Sequence, residues 1–83
     1  MPRFYFHVCN GNGFTEDEEG REFPDLETAR AEAVRAARDI MASEVRSGIL
    51  DLSSFIEIED ADHRLTHTLG FRDAVDLTKH HGK

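Results

Sequence analysis

The sequence predicts an α+β domain of order β-β-α-β-β, a four-stranded, mainly antiparallel sheet with one long helix packed on one face. Three observations predict it. Residues 3–9 alternate in character, with Phe4, Phe6 and Val8 on one side and Arg3, Tyr5, His7 and Cys9 on the other. Residues 25–48 carry apolar side chains at helical spacing. Residues 54–60 and 64–71 alternate again on either side of a tight reversal. Period two marks strands and a period near 3.6 marks a helix. One sheet crossed by one helix is the simplest way for such faces to cover each other.

The first strand is rich in aromatic residues, and Phe4, Phe6 and Val8 form its better core face. Asn10-Gly11-Asn12-Gly13 is a turn, because Asn and Gly tolerate the positive φ of tight hairpins. A second strand is expected over residues 14–17, on the edge of the sheet, where Glu16, Asp17, Glu18 and Glu19 discourage pairing with other chains. Glu19-Gly20 reads as a further turn, and residues 21–23 continue the strand after a bulge or lead into the helix.

Asp25 is the expected N-cap, with Glu27 favourably placed near the positive end of the helix dipole. Leu26, Ala29, Ala33, Ala36, Ala37 and Ile40 form the apolar stripe, and Val34, Met41 and Val45 widen it. We expect Leu26, Ala33, Ala37 and Ile40 to set the buried side. Residues 29–42 include six alanines, which favour helix and let it lie close to a sheet. Glu27–Arg30, Glu32–Arg35 and Arg35–Asp39 have the spacing of ion pairs on the wet face. Gly48 suits the left-handed position after a helix.

Residues 49–53 are a packed connector. In the third strand Ile56 and Ile58 share one face, while Phe55, Glu57 and Glu59 share the other. Ala61-Asp62-His63 reverses the chain. The return strand puts Leu65, His67, Leu69 and Phe71 on one face. Residues 71–75 form a short helical turn or an irregular cap, with Val75 and Leu77 packing back, and residues 79–83 are expected to fray.

With 83 residues, the chain makes a single domain spanning 1–83. A chain of this size buries only about 60–65% of its unfolded surface, so a partner that covers one face adds useful stability. The net charge is −7, with ten basic residues scattered among seventeen acidic ones. Residues 10–24 carry five acids against one Arg, whereas residues 25–50 carry five against four. Counterion release on nucleic acid needs clustered Lys and Arg. Direct nucleic-acid binding and adhesion to an anionic membrane are therefore not expected. Cys9 is the sole cysteine, so no intrachain disulfide forms, as suits a reducing compartment. No signal-peptide apolar run opens the chain and no segment reaches the ~20 apolar residues of a membrane span. A cytoplasmic location is expected.

The residues able to do chemistry are few. Glu16-Asp17-Glu18-Glu19 is the densest carboxylate cluster, but it lacks the offsets of a calcium loop and reads as a solvated acidic surface for a partner. Asp60, Asp62 and His63 share one turn, with His67 four residues on. Asp is common in turns for its backbone hydrogen bonds, and two histidines four apart on a strand stand about 13 Å apart, too far for one ion. His67 reads as a hydrogen-bonded, partly buried core histidine. His7 and Cys9 neighbour each other on one strand face, about 6–7 Å apart at the backbone, and have no third group to orient them as a nucleophilic pair. Gly11-Asn12-Gly13 links strand to strand and lacks the Lys-Ser/Thr of a phosphate loop. No serine nucleophile elbow is present. No cofactor is expected.

Pro2-Arg3-Phe4-Tyr5-Phe6-His7-Val8, Asp17-Glu18-Glu19-Gly20, Phe23-Pro24-Asp25-Leu26 with Ala29-Arg30-Ala31-Glu32-Ala33, and Phe71-Arg72-Asp73-Ala74-Val75 resemble a family of short proteins of unknown function. That family is common in rhizobia and related alphaproteobacteria. The likeness covers nearly the whole chain but brings no activity or site residues with it. The hairpin followed by Phe23-Pro24-Asp25-Leu26 and an Ala/Glu-rich helix is also similar to HicB-type antitoxins, which implies a partial RNase H-like fold. The Gly-rich stretch of that pattern and its DNA-binding tail are missing. The reading from sequence is a non-enzymatic module acting through protein contacts, with a homodimer or another protein as partner. Tyr5, His7, Cys9 and Phe55 are the candidate interface, and Glu16, Asp17, Glu18 and Glu19 the candidate acidic surface. The alternative is a small metal-dependent or histidine-based enzyme using Asp60, Asp62, His63 and His67, or His7 and Cys9.

Overall fold

A computed structural model describes residues 1–11 and 13–78. Asn12 of the first turn and the expected frayed tail at 79–83 lie outside them. The elements are β1 (Arg3–Asn10), β2 (Gly13–Thr15), β3 (Arg21–Glu22), α1 (Leu26–Arg46), β4 (Phe55–Glu59) and β5 (Leu65–Gly70), followed by a 3-10 helix (Phe71–Asp73). The fold is the expected α+β arrangement, a mainly antiparallel sheet with one long helix. The sheet order is β2-β1-β4-β5, and β3 also pairs with β1. β1 therefore lies at the centre. β4 pairs antiparallel with Tyr5–Cys9 along one edge of β1. β2 and β3 follow one another along the other edge. Because β3 and β4 both run against β1, α1 joins two parallel strands across the strand between them.

The expected second strand over residues 14–17 is shorter than its sequence suggests. It ends at Thr15 and resumes as β3, and residues 16–20 bow out between the two. Asp17 bridges the gap with its side chain. Its carboxylate accepts from the Phe6 backbone N–H at 3.1 Å and from the Gly20 N–H at 3.0 Å. A carboxylate thus stands where a strand carbonyl would stand, satisfying a backbone group that the missing ladder leaves open. Gly20 has φ +69, and a Cβ there would come within 2.8 Å of the Phe4 carbonyl oxygen and 2.9 Å of the Tyr5 ring. Only glycine fits this close approach.

The helix has the ends that its sequence predicts. The Asp25 side chain accepts from Thr28 N–H at 2.7 Å, and these hydrogen bonds hold its carboxyl below the usual range. At the far end Gly48 N–H donates to the Val45 carbonyl and Ile49 N–H to that of Glu44, with Gly48 at φ +84. This is a Schellman cap. Ala29, Ala33, Ala37 and Met41 form the buried stripe. Leu26, expected inside, is 38% exposed because the stripe begins one turn later, and Ile40 packs at its border. On the wet face Arg35 pairs with Glu32 at 3.0 Å, and Arg21 from β3 joins the same carboxylate at 3.1 Å.

The core lies between α1 and one face of the sheet. Phe4, Ile56, Ile58 and Leu69 come from the sheet, and Phe71 and Ala74 from the segment beyond β5. Phe23 closes one end, stacked on Phe6 at 5.7 Å between ring centres. Phe71 was expected both to close the last strand and to open a short helical turn or cap. The strand ends at Gly70, and Phe71 opens the 3-10 helix, fully buried, with its N–H bonded to the Ser54 carbonyl. β5 contains a further departure. His67 faces Ile58 but Leu65 faces Glu59, so Thr66 is an extra, bulged residue. A bulge puts the side chains on its two sides out of step in their facing. Leu65 is thereby moved off the core side, where alternation had put it, and is 56% exposed.

Candidate functional site

The face of the sheet turned away from α1 holds the residues that bear chemistry. β1 contributes Tyr5, His7 and Cys9, and β4 places Glu59, Glu57 and Phe55 directly opposite them. β2 adds Phe14 opposite Cys9. β5 adds Leu65 and Thr68.

His7 is the centre of this face. Strand alternation directs it away from the helix, as expected, yet it is only 4% exposed. Phe14 covers it, with ring centres 5.5 Å apart. Its Nδ1 accepts the Asp17 backbone N–H at 3.0 Å. The ring proton therefore sits on Nε2, which donates to Glu59 Oε1 at 2.9 Å. His7 and Asp17 are thus reciprocally tied, each holding a backbone or side-chain group of the other's segment. The histidine is a support beneath the surface, so of the four candidate interface residues it is the one a partner cannot reach directly. Asp17 is likewise turned inward, whereas Glu16, Glu18 and Glu19 are exposed and their carboxylates make no ion pair among the described residues.

Glu59 serves two histidines. Its Oε1 also lies 3.4 Å from His63 Nδ1. The hydrogen bond from His7 comes first, and that with His63 adds to it, so the carboxyl titrates below the ordinary glutamate value. His63 stacks on Tyr5, with ring centres 4.6 Å apart, and holds a left-handed backbone with φ 62. Glycine is usual at such a position, and an L side chain there costs about 1–2 kcal/mol. The turn is fixed by Asp60, whose carboxylate accepts from Asp62 N–H at 2.9 Å and Arg64 N–H at 3.0 Å.

These positions decide what the face can do chemically. The Cys9 thiol is pushed up, first by burial and then by the Glu57 charge, which disfavours the thiolate. Both His7 nitrogens are engaged, so neither is left to take a proton from Cys9. His63 and His67 lie on opposite sides of the sheet. His67 is half-buried beside α1 and its Nε2 accepts from Arg30 Nε–H at 3.3 Å. Among the described residues no three His, Cys, Asp or Glu side chains converge to hold a metal ion. No cavity of ligand size forms there either. Tyr5, Cys9 and Phe55 share this face, as alternation in the sequence places them. Glu59, Phe14 and the stacking of His63 were not singled out as site residues. The signal for Glu59 was its spacing of four from His63.

The model of DUF6894, a domain of unknown function, matches residues 3–72. The chain belongs to that family. The matched span begins with β1 and ends within the 3-10 helix, so it covers the whole sheet and α1. No curated protein and no solved structure matches significantly. No described helix is long and apolar enough to cross a membrane.

Proposed function

We propose that this domain is a non-enzymatic, cytoplasmic binding module that takes a basic segment of a partner protein onto its helix-free face. The supporting observation is the composition of that face. Exposed Phe14 and Leu65 and half-buried Tyr5, Cys9 and Phe55 lie beside Glu57 and Glu59 and adjoin the unpaired carboxylates of Glu16 and Glu18. Arg3, the cation that β1 supplies to this side, is engaged by the Glu19 carbonyl at 2.6 Å and by Glu22 at 3.7 Å. Aromatic side chains ringed by one sign of charge suit a partner of opposite sign with apolar anchors. The same charge repels phosphate backbones, in keeping with a protein as partner. Flatness favours a macromolecule over a small ligand, which needs a concave site.

A histidine-based site is the second reading, favoured by the strained His63 backed by Glu59. A general base must have its substrate held within hydrogen-bond reach, and the exposed turn offers nothing to hold one. The binding reading is therefore preferred. The test is amide-shift mapping with a synthetic peptide of alternating Lys and Leu, beside a Glu and Leu control. The expected result is shifts at Phe14, Glu16, Glu18 and Glu57 from the Lys peptide alone, weakened by salt and by Glu57→Lys. Absence of shifts up to about 1 mM peptide, or shifts confined to α1, overturns the reading.

A further inference from the structure

The loop at residues 16–20 is tied to β1 by contacts of which one excludes a proton. The Asp17 carboxylate accepts from Phe6 N–H at 3.1 Å, and Arg3 donates to the Glu19 carbonyl at 2.6 Å. The third tie is the Asp17 N–H, which donates to His7 Nδ1 at 3.0 Å. The other ring nitrogen, Nε2, holds its proton against Glu59. A histidine cation carries a proton on both nitrogens and accepts from nothing. The second proton has one place to go, Nδ1, where the Asp17 amide already points its own hydrogen. Phe14 covers the ring, so Nδ1 has no open water to turn to.

We propose that His7 is a proton-operated latch, in which a proton on Nδ1 displaces the Asp17 amide and releases residues 16–20 from β1. The charges around the ring suit this device. Glu57 stands directly across from His7 on β4, Glu59 lies against Nε2, and Asp17 comes from the loop. Tyr5 and Cys9 flank it on β1, His63 shares Glu59, and β2 brings Phe14 without charge. Arg3, farther along the same side, is held by Glu19 and Glu22. The ring is thus faced by carboxylates, which pair with an imidazolium once the loop gives way. Arg3 keeps its charge throughout, and the Glu59 carboxyl, held below its usual value, changes only in stronger acid. On the binding reading above, on which this one consequence rests, release also draws Glu16 and Glu18 away from the face, so a basic segment is let go as pH falls.

Amide exchange in the free domain, followed between about pH 8 and pH 5 beside the nitrogen NMR signals of the His7 ring, tests the latch. Protection factors at Phe6, Asp17 and Gly20 are expected to fall by up to about tenfold per pH unit as the ring takes up its proton, with those in α1 unchanged. His7→Asn offers an acceptor that takes no proton, and its protection factors should stay constant across the range. His63→Asn removes the other histidine on Glu59, and Asn tolerates the left-handed turn, so this variant should keep the wild-type dependence. If His7→Asn does not fold, coincident midpoints for the loop and the His7 ring in wild type and His63→Asn carry the test. A ring that charges while the loop amides stay protected, a ring that stays neutral down to about pH 5, or a pH-dependent loss in His7→Asn overturns the proposal. No peptide enters these measurements, so failure of the binding reading leaves them untouched.

Discussion

The two faces of this sheet are held by opposite chemistry. On one, α1 lays a stripe of Ala29, Ala33, Ala37 and Met41 over Ile56, Ile58 and Phe4, and burial of carbon does the work. On the other, the most buried side chain is His7, one residue along β1 from Phe6, held by Asp17 and Glu59 and roofed by Phe14. A helix covers its face without regard to the details of any one contact. The histidine supports its face only while each partner stays in place, since a buried polar group left without a partner is costly. The helix face therefore sets the fold, and the other face fixes the loop that carries the acidic rim.

Mutations along β4 and β1 test that contrast. The largest effect is expected at Ile58, which is fully buried under the helix. Ile58→Ala should cost about 2–5 kcal/mol in urea denaturation, whereas Glu57→Ala next to it should cost little. Equal costs would show that the helix-free face is as much a core as the other. His7→Phe keeps the ring and removes both hydrogen bonds. It should cost about 1–3 kcal/mol and speed amide exchange across residues 16–20 more than in α1. Unchanged exchange in that loop would reduce His7 to a space filler.

The smallest effect is electrostatic. The Glu59 carboxyl is depressed, chiefly by the hydrogen bond from His7. Its contribution is complete above the ordinary glutamate value, about 4.3, and is lost as pH falls through the depressed one. The stability gap between wild type and Glu59→Gln should therefore narrow between neutral pH and pH 3. A constant gap would show that the contact acts without the charge.

How much of this was legible in the sequence depends on the range of the interaction. The helix ends were legible because Asp25 caps Thr28 and Gly48 ends α1 through contacts a few residues away. The inner faces of β1 and β4 followed from alternation. Three features did not follow. The interruption after Thr15 rests on a carboxylate acting in place of a carbonyl, which no residue pattern announces. The bulge at Thr66 has no glycine to mark it, and it moved Leu65 to the wrong face in the reading from alternation. The burial of His7 depends on Glu59, 52 residues away, and on Phe14 across a turn. The candidate surface was found in outline for the same reason. Alternation names the residues on a face but not which of them lies under its neighbours.

The central position of β1 also governs the order in which the molecule is made. Residues 5–9 find their principal partners at residues 55–59, beyond the 21 residues of α1. Such distant pairing slows folding, because the loop must close before the contact rewards it. On the ribosome, at about 5–20 residues per second, β1 waits several seconds with one edge open while the chain grows to β4. Along that edge β1 is secured only when β4 arrives.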